Sequence, residues 1–161
     1  MIRVGIGFDV HRFSVPSENR QLILMGVHIP FEFGLSGHSD ADVMIHALID
    51  ALLGAAALGD IGRHFPDTDP MYKGIDSTEL LRRVVADIHS KGWRVVNADV
   101  GLIGERPKIA SYVDMMKERV APILDIQTNA LNIKATTTEK LGFTGRGEGL
   151  AAQAIAMIVA Q

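Results

Sequence analysis

The chain has 161 residues, 47% of them in the hydrophobic set, with 16 basic and 19 acidic residues for a formal net charge of -3, and no cysteine. That length and apolar content suit one domain over residues 1–161 with a core that needs no staples. The absence of cysteine excludes disulfides, thiolate metal sites and cysteine nucleophiles, and the acidic balance argues against a general nucleic-acid binder, which needs a basic excess.

Ile2 to Phe8 is an apolar run that reads as a strand over residues 2–9. A polar stretch, Arg12 to Arg20, separates it from a second strand region, Gln21 to Ile29, interrupted by Gly26. From Asp40 to Leu58 apolar residues recur at helical spacing (Val43, Ile45, Leu48, Ile49, Leu52, Leu53, Ala56), which predicts a helix with Ser39 or Asp40 as its N-cap. Residues 60–75 hold two prolines and several turn formers and read as a long loop. Asp76 or Ser77 then starts a helix to about Lys91, stopped by Gly92. Trp93 to Ile103 alternates as a strand, Ile109 to Val120 reads as a helix ended near Pro122, and Ala130 to Thr136 returns as a strand. The tail, Leu150 to Ala160, is open between two readings: its alanines favour a helix, while Ile155, Met157 and Val159 alternate like a strand. No segment reaches the ~18 apolar residues of a membrane span and no leader pattern opens the chain, so a soluble, cytoplasmic protein without a membrane partner is expected.

Asp9 and His11 stand one residue apart at the end of the first strand, so both side chains leave on the same face. His46, on a helical face, supplies a third donor of the kind that catalytic zinc sites use, with Asp42 one turn earlier as a neighbouring group. The bland alternative is a capping aspartate beside two ordinary histidines. His38 and Ser39 precede the helix, where free N–H groups favour an anion or, equally, a plain cap. Asp67 and Asp69 are acceptors for hydroxyls or mere turn residues around Pro66 and Pro70. The run Thr136-Thr137-Thr138-Glu139 through Phe143, Arg146 and Gly149 gathers hydroxyls, a carboxylate and a guanidinium suited to a diphosphate and its magnesium ion, but lacks P-loop spacing.

Taken in order, Gly5-x-Gly7-Phe8-Asp9-Val10-His11, His38-Ser39-Asp40-x-Asp42-x(3)-His46, Asp60-Ile61-Gly62, Phe65-Pro66-Asp67-Thr68-Asp69, Pro107-Lys108 and Thr136 to Gly149 resemble one family along essentially the whole chain. It is the 2-C-methyl-D-erythritol 2,4-cyclodiphosphate synthase family, phosphorus–oxygen lyases of the non-mevalonate isoprenoid (terpenoid) pathway. The resemblance implies that Asp9, His11 and His46 hold a divalent metal, usually zinc, and that Glu139 meets magnesium or manganese carried with the substrate diphosphate. It assigns His38 and Thr137 to transition-state stabilisation, with Ser39 at the phosphate end. It places Asp60 to Gly62 and Phe65 to Asp69 on the sugar-derived side of the substrate, and counts Val10 among the substrate-binding residues. Gly104, Glu105, Arg106, Pro107, Lys108, Ile109 and Ala110 fall by the cytidine diphosphate, completed by Thr136, Thr138, Phe143 and Arg146.

The implied reaction is intramolecular: the 2-phosphate of 4-diphosphocytidyl-2-C-methyl-D-erythritol 2-phosphate attacks the β-phosphorus, CMP leaves and the cyclic diphosphate forms, with no protein nucleophile. The implied fold is α/β (α+β type), a mixed sheet on one side and helices on the other, which makes the tail a strand. The implied assembly is a homotrimer with sites between subunits and a central apolar cavity that accepts isoprenoid diphosphates. The chain departs from the resemblance at Ile6, where histidine is frequent, and at Gln153, where glutamate is. Two other functions compete, a noncatalytic trimer that binds isoprenoid diphosphates and a metal-dependent phosphohydrolase.

Overall fold

A computed structural model describes residues 1–161. Four strands form a mixed sheet: β1 (Ile2–Arg12), β4 (Trp93–Ile103), β5 (Leu131–Thr136) and β6 (Gly149–Ala160) in the order β1-β6-β4-β5. β6 is antiparallel to both β1 and β4, and β5 is parallel to β4. A separate hairpin pairs β2 (Leu22–Leu24) with β3 (Val27–Ile29) through Met25 and Gly26, both at positive φ as a tight turn demands. The helices are α1 (Val43–Ala56), the single turn α2 (Ile61–His64), α3 (Ser77–Ser90), α4 (Val113–Leu124) and the short α5 (Gly142–Gly145).

Period two on β1 divides its residues between two environments. Gly5 and Gly7 are buried against α1, and a Cβ on either would overlap the carbonyl oxygens of Ala51 and Ala47 respectively. Glycine on the strand and alanine on the helix therefore set a close approach that bulkier residues would prevent. Ile2, Val4, Ile6, Phe8 and Val10 point the other way and are 40% to 64% exposed. The tail is a twelve-residue strand despite its composition. Ala152, Ala154 and Ala156 are fully buried on the same side as α1, so the alanines serve close sheet–helix packing rather than helix propensity.

Three boundaries differ from the sequence reading. α1 begins at Val43 because Ala41 takes a left-handed φ of 58° and Asp42, not Ser39 or Asp40, is the cap. The buried Asp42 carboxylate accepts from Ile45 N at 3.1 Å, Met25 N at 3.0 Å and Gly26 N at 2.7 Å, tying the helix start to the hairpin turn. Burial pushes its carboxyl up to about 7, with those three N–H groups pulling the other way. α4 starts four residues later than Ile109, after a 3-10 turn (Ala110–Tyr112), and continues through Pro122 to Leu124, the proline forfeiting the one ladder bond its missing N–H would make to the Glu118 carbonyl. The long loop over 60–75 contains α2 and a 3-10 turn (Pro70–Tyr72), each capped by an aspartate.

Candidate active site

Asp9 and His11 continue the row of Gly5 and Gly7 on the helix side of β1, and His46 neighbours Ala47, the residue that Gly7 admits. The close strand–helix approach thus delivers the third donor. Asp9 Oδ2 lies 2.9 Å from His11 Nε2 and 3.2 Å from His46 Nδ1, and the two nitrogens are 3.1 Å apart. These three residues form a cluster able to hold a metal ion. A tetrahedral zinc with donors at ~2.0–2.1 Å would separate them by about 3.3 Å, close to the spacing found. The donor chemistry fits too. His11 Nδ1 donates to the Ser36 carbonyl at 2.9 Å, because a carbonyl can only accept, so its Nε2 faces the cluster as a lone pair when the ring is neutral. Burial works against charge on Asp9, yet the two imidazoles beside it hold its carboxyl below the usual carboxylate range. For His11, burial likewise opposes protonation, but the Asp9 carboxylate raises the ring above its ordinary value of 6.5.

The cluster opens into a cleft of about 410 Å³ whose lining adds His38, Ser39, Ile61, Gly62, Phe65, Pro66 and Asp67. His38 Nε2 donates to the Asp69 carbonyl at 2.9 Å, which orients the ring. Arg20 donates to the carbonyls of Gly37 and Ser39, bracketing His38, and Asp50 Oδ1 accepts from Ile61 N at 2.7 Å, anchoring α2 as one wall. Asp60 and Asp69 cap α2 and the following 3-10 turn through Arg63 N and Met71 N, both at 2.9 Å. No lysine or arginine lines this cleft.

A second cleft, of about 470 Å³, holds Gly104, Lys108, Ile109, Ala110, Thr136 and Thr137 with Lys134, and shares no lining residue with the first. Arg106 and Glu105 pin its rim: Arg106 pairs with Glu32 at 2.7 Å and lies over the Phe31 ring, and Glu105 accepts from Lys140 N. Pro107 follows Arg106 through a cis peptide bond. Glu139, at a left-handed φ of 53°, stands outside the metal cluster. Val10 points away on the opposite sheet face, Thr68 lines neither cleft, Thr138 is tied to Thr144 at 2.9 Å, and Arg146 pairs with Glu148 at 3.0 Å beside the partly exposed Phe143.

Sequence reasoning missed Arg20, Asp40, Tyr72, Ser77 and Leu80 around the first cleft. The neighbouring-group role expected for Asp42 is overturned. Its carboxylate is spent on three backbone N–H groups, and only its carbonyl meets the His46 backbone N, at 3.0 Å. Asp42 also displaces Ser39 as the cap, so the helix start is sealed inside the core, while His38 and Ser39 line the first cleft.

Fold and site together define an α/β protein with a candidate divalent-metal centre where a sheet strand meets a buried helix. Residues 2–159 match the YgbB family. The chain is 56% identical over 159 residues to the 2-C-methyl-D-erythritol 2,4-cyclodiphosphate synthase of Azotobacter vinelandii, covering 99% of each. Its identity to the synthase of the same name from Geobacillus thermodenitrificans is also 56%, over 98% of this chain and 97% of that one. Among solved structures, IspF of Plasmodium falciparum in complex with CDP superposes with a TM-score of 0.85 at 30% identity, covering 99% of this chain and 97% of that one. The bifunctional IspDF of Campylobacter jejuni gives a TM-score of 0.94 at 43% identity, this chain spanning 43% of its length. The chain belongs to the YgbB family.

Proposed function

We infer that this protein converts 4-diphosphocytidyl-2-C-methyl-D-erythritol 2-phosphate into 2-C-methyl-D-erythritol 2,4-cyclodiphosphate and CMP, as a lyase of isoprenoid biosynthesis formed by residues 1–161 as one domain. The observation that carries it is the Asp9, His11 and His46 cluster at the floor of a cleft, in a chain matching synthases of that name over nearly its whole length. In this reading Asp9, His11 and His46 hold a zinc ion, and Glu139 meets a magnesium or manganese ion that arrives with the diphosphate. Bound there, a divalent cation supplies Lewis-acid polarisation of phosphate oxygens. The protein's own groups position and donate. His38, oriented by the Asp69 carbonyl, and Ser39 serve the phosphate in the first cleft. Lys108, Thr136 and Thr137 of the second cleft serve the cytidine diphosphate, with Thr137 donating where negative charge grows. The substrate's 2-phosphate oxygen attacks the β-phosphorus in line, so the residues contribute proximity and charge stabilisation rather than a nucleophile.

One chain keeps the two clefts apart, and a homotrimer reconciles them by setting the second cleft of one subunit against the first cleft of its neighbour. The row Ile2, Val4, Ile6, Phe8 and Val10, with Ile155, is an exposed apolar face of the kind such an interface covers. The central cavity of that trimer would be lined in part by Ile6 and Gln153, an apolar and a neutral lining that suits an isoprenoid tail better than its diphosphate.

Incubation with the substrate, Zn2+ and Mg2+ tests the reaction. Cyclic diphosphate and CMP in equal amounts are expected. CMP with only linear phosphates would make the protein a phosphohydrolase, and binding without turnover would leave it a carrier of isoprenoid diphosphates.

A further inference from the structure

The two imidazoles of the cluster are held from behind by different devices. His11 donates Nδ1–H to a backbone carbonyl, that of Ser36. His46 has no carbonyl behind it: its Nε2 lies 2.8 Å from Ser77 Oγ and 3.2 Å from Ser39 Oγ. Ser77, the first residue of α3, is fully buried, and its hydroxyl and its backbone N–H both reach the Asp40 carboxylate, at 2.5 Å and 3.0 Å. Asp40 Oδ1 also accepts the Asp42 N–H at 3.1 Å.

With His46 neutral, the protons in this chain of contacts have one arrangement that satisfies each of them. A carboxylate only accepts, so the single hydroxyl proton of Ser77 is committed to Asp40. Ser77 Oγ then faces His46 as an acceptor, and the ring must present Nε2–H to it. Nδ1 is left with its lone pair, directed at Asp9 Oδ2 and His11 Nε2. Ser39 Oγ accepts the Ala41 N–H at 3.2 Å, which leaves its own proton available to the cleft it lines.

We propose that Asp40 and Ser77 are positioning residues that lock His46 in its Nε2–H tautomer and thereby aim Nδ1 at the metal position. The proposal rests on the metal-centre reading above and extends it to residues that never touch metal or substrate. Metal-bound histidines are commonly oriented by such partners, and losing one costs ~10–100-fold in metal affinity. A purely structural tie between Asp40 and α3 would make no demand on His46. Here the demand follows from one hydroxyl having one proton.

The test measures Zn2+ affinity of the full chain by competition with a chromophoric chelator, for wild type, Ser77→Ala, Asp40→Asn and the double variant. Each single substitution should weaken Zn2+ binding by about 10–100-fold. The double variant should lose no more than the worse single, because both act through one relay. In the Zn2+-loaded wild type, 15N-edited NMR should find the His46 Nε2–H protected from solvent exchange, and that protection should vanish in Ser77→Ala. Unchanged affinity in Ser77→Ala, or independent additive losses, would overturn the relay while leaving the metal centre standing. An unprotected Nε2–H in the wild type would overturn it without recourse to any variant. A wild type that binds no Zn2+ would overturn the metal centre and the relay together.

Discussion

The two clefts that gather most of the candidate site residues are built on opposite plans. The first is made by packing. Its donors sit on the helix side of β1 and on the buried face of α1, and two glycine–alanine contacts fix how closely those elements approach. The second is made along β5 and in loops, from the exposed Lys108, Lys134 and Thr136 and the half-buried Thr137. The first presents carboxylate and imidazole and no lysine or arginine, so it suits a metal ion; the second presents ammonium and hydroxyl groups with one carboxylate, Asp114, so it suits an anion directly. Neither lining is sufficient for a diphosphate reaction that must grip both ends of its substrate. The difference teaches that rigidity is concentrated around the candidate metal donors, and exposed, adaptable donors in the second cleft.

His46→Ala is expected to separate the clefts most sharply. It removes one of three donors, so turnover should vanish and the Zn2+ affinity loss should exceed the ~10–100-fold cost of losing an outer partner, while the assembly persists. Chelator competition and gel filtration on the same sample check both halves, and retained turnover would remove His46 from the ligand set. Lys108→Ala should raise KM by roughly 10–100-fold, the range of one hydrogen bond to a charged group, and leave Zn2+ affinity alone. A mixture of the two variants, unfolded and refolded together, then sharpens the comparison. If each site takes one cleft from each of two subunits, random assembly restores about a quarter of wild-type sites. No recovery over the separate variants would place both clefts' work within one chain. Gly7→Ala acts on the packing itself: overpacking α1 against β1 should cost about 1–3 kcal/mol of stability and also weaken Zn2+ binding by moving His46. Denaturant melts of the metal-free and Zn2+-loaded variant measure the two effects.

The first cleft was partly legible in the sequence because both of its periodicities are. Alternation places Asp9 and His11 on one side of a strand, and the helical pattern of 43–56 presents His46 within a buried face. The role of Gly5 and Gly7 was not legible, since a glycine in a strand does not say what comes close to it. Ser77 looked like a helix cap, and only the folded chain brings it across 31 residues to His46. Asp42 was misread for a related reason. Helical spacing puts it near His46, but a left-handed Ala41 ends the helix just beyond it and turns its carboxylate into the core. The tail defeated propensity outright, because tertiary packing against α1 selects alanine for size. The second cleft lacks such a pattern, because its residues are scattered over loops and strand ends.

The smallest expected effect, a dependence on pH, still distinguishes the clefts. In the metal-free protein the Asp9 carboxylate keeps His11 protonated to a pH above the ordinary imidazole value of 6.5, whereas a metal requires the Nε2 lone pair. Below the raised His11 value, each bound Zn2+ must expel that proton, so affinity should rise about tenfold per pH unit and level off once the ring is neutral. Asp9 adds no slope there, because its carboxyl is held below the usual range and is already ionised. In the proposed reading a cytidine diphosphate diester, which carries no phosphate group that titrates in this range, meets Lys108 rather than an imidazole of the cluster, and its affinity for the metal-free protein should be flat over the same interval. Titrations of Zn2+ and of that diester from pH 5.5 to 8, in steps of about half a unit, compare the two. A Zn2+ curve as flat as the nucleotide's would mean that His11 carries no proton for the metal to displace, and would separate the Asp9–His11 contact from the metal-binding role.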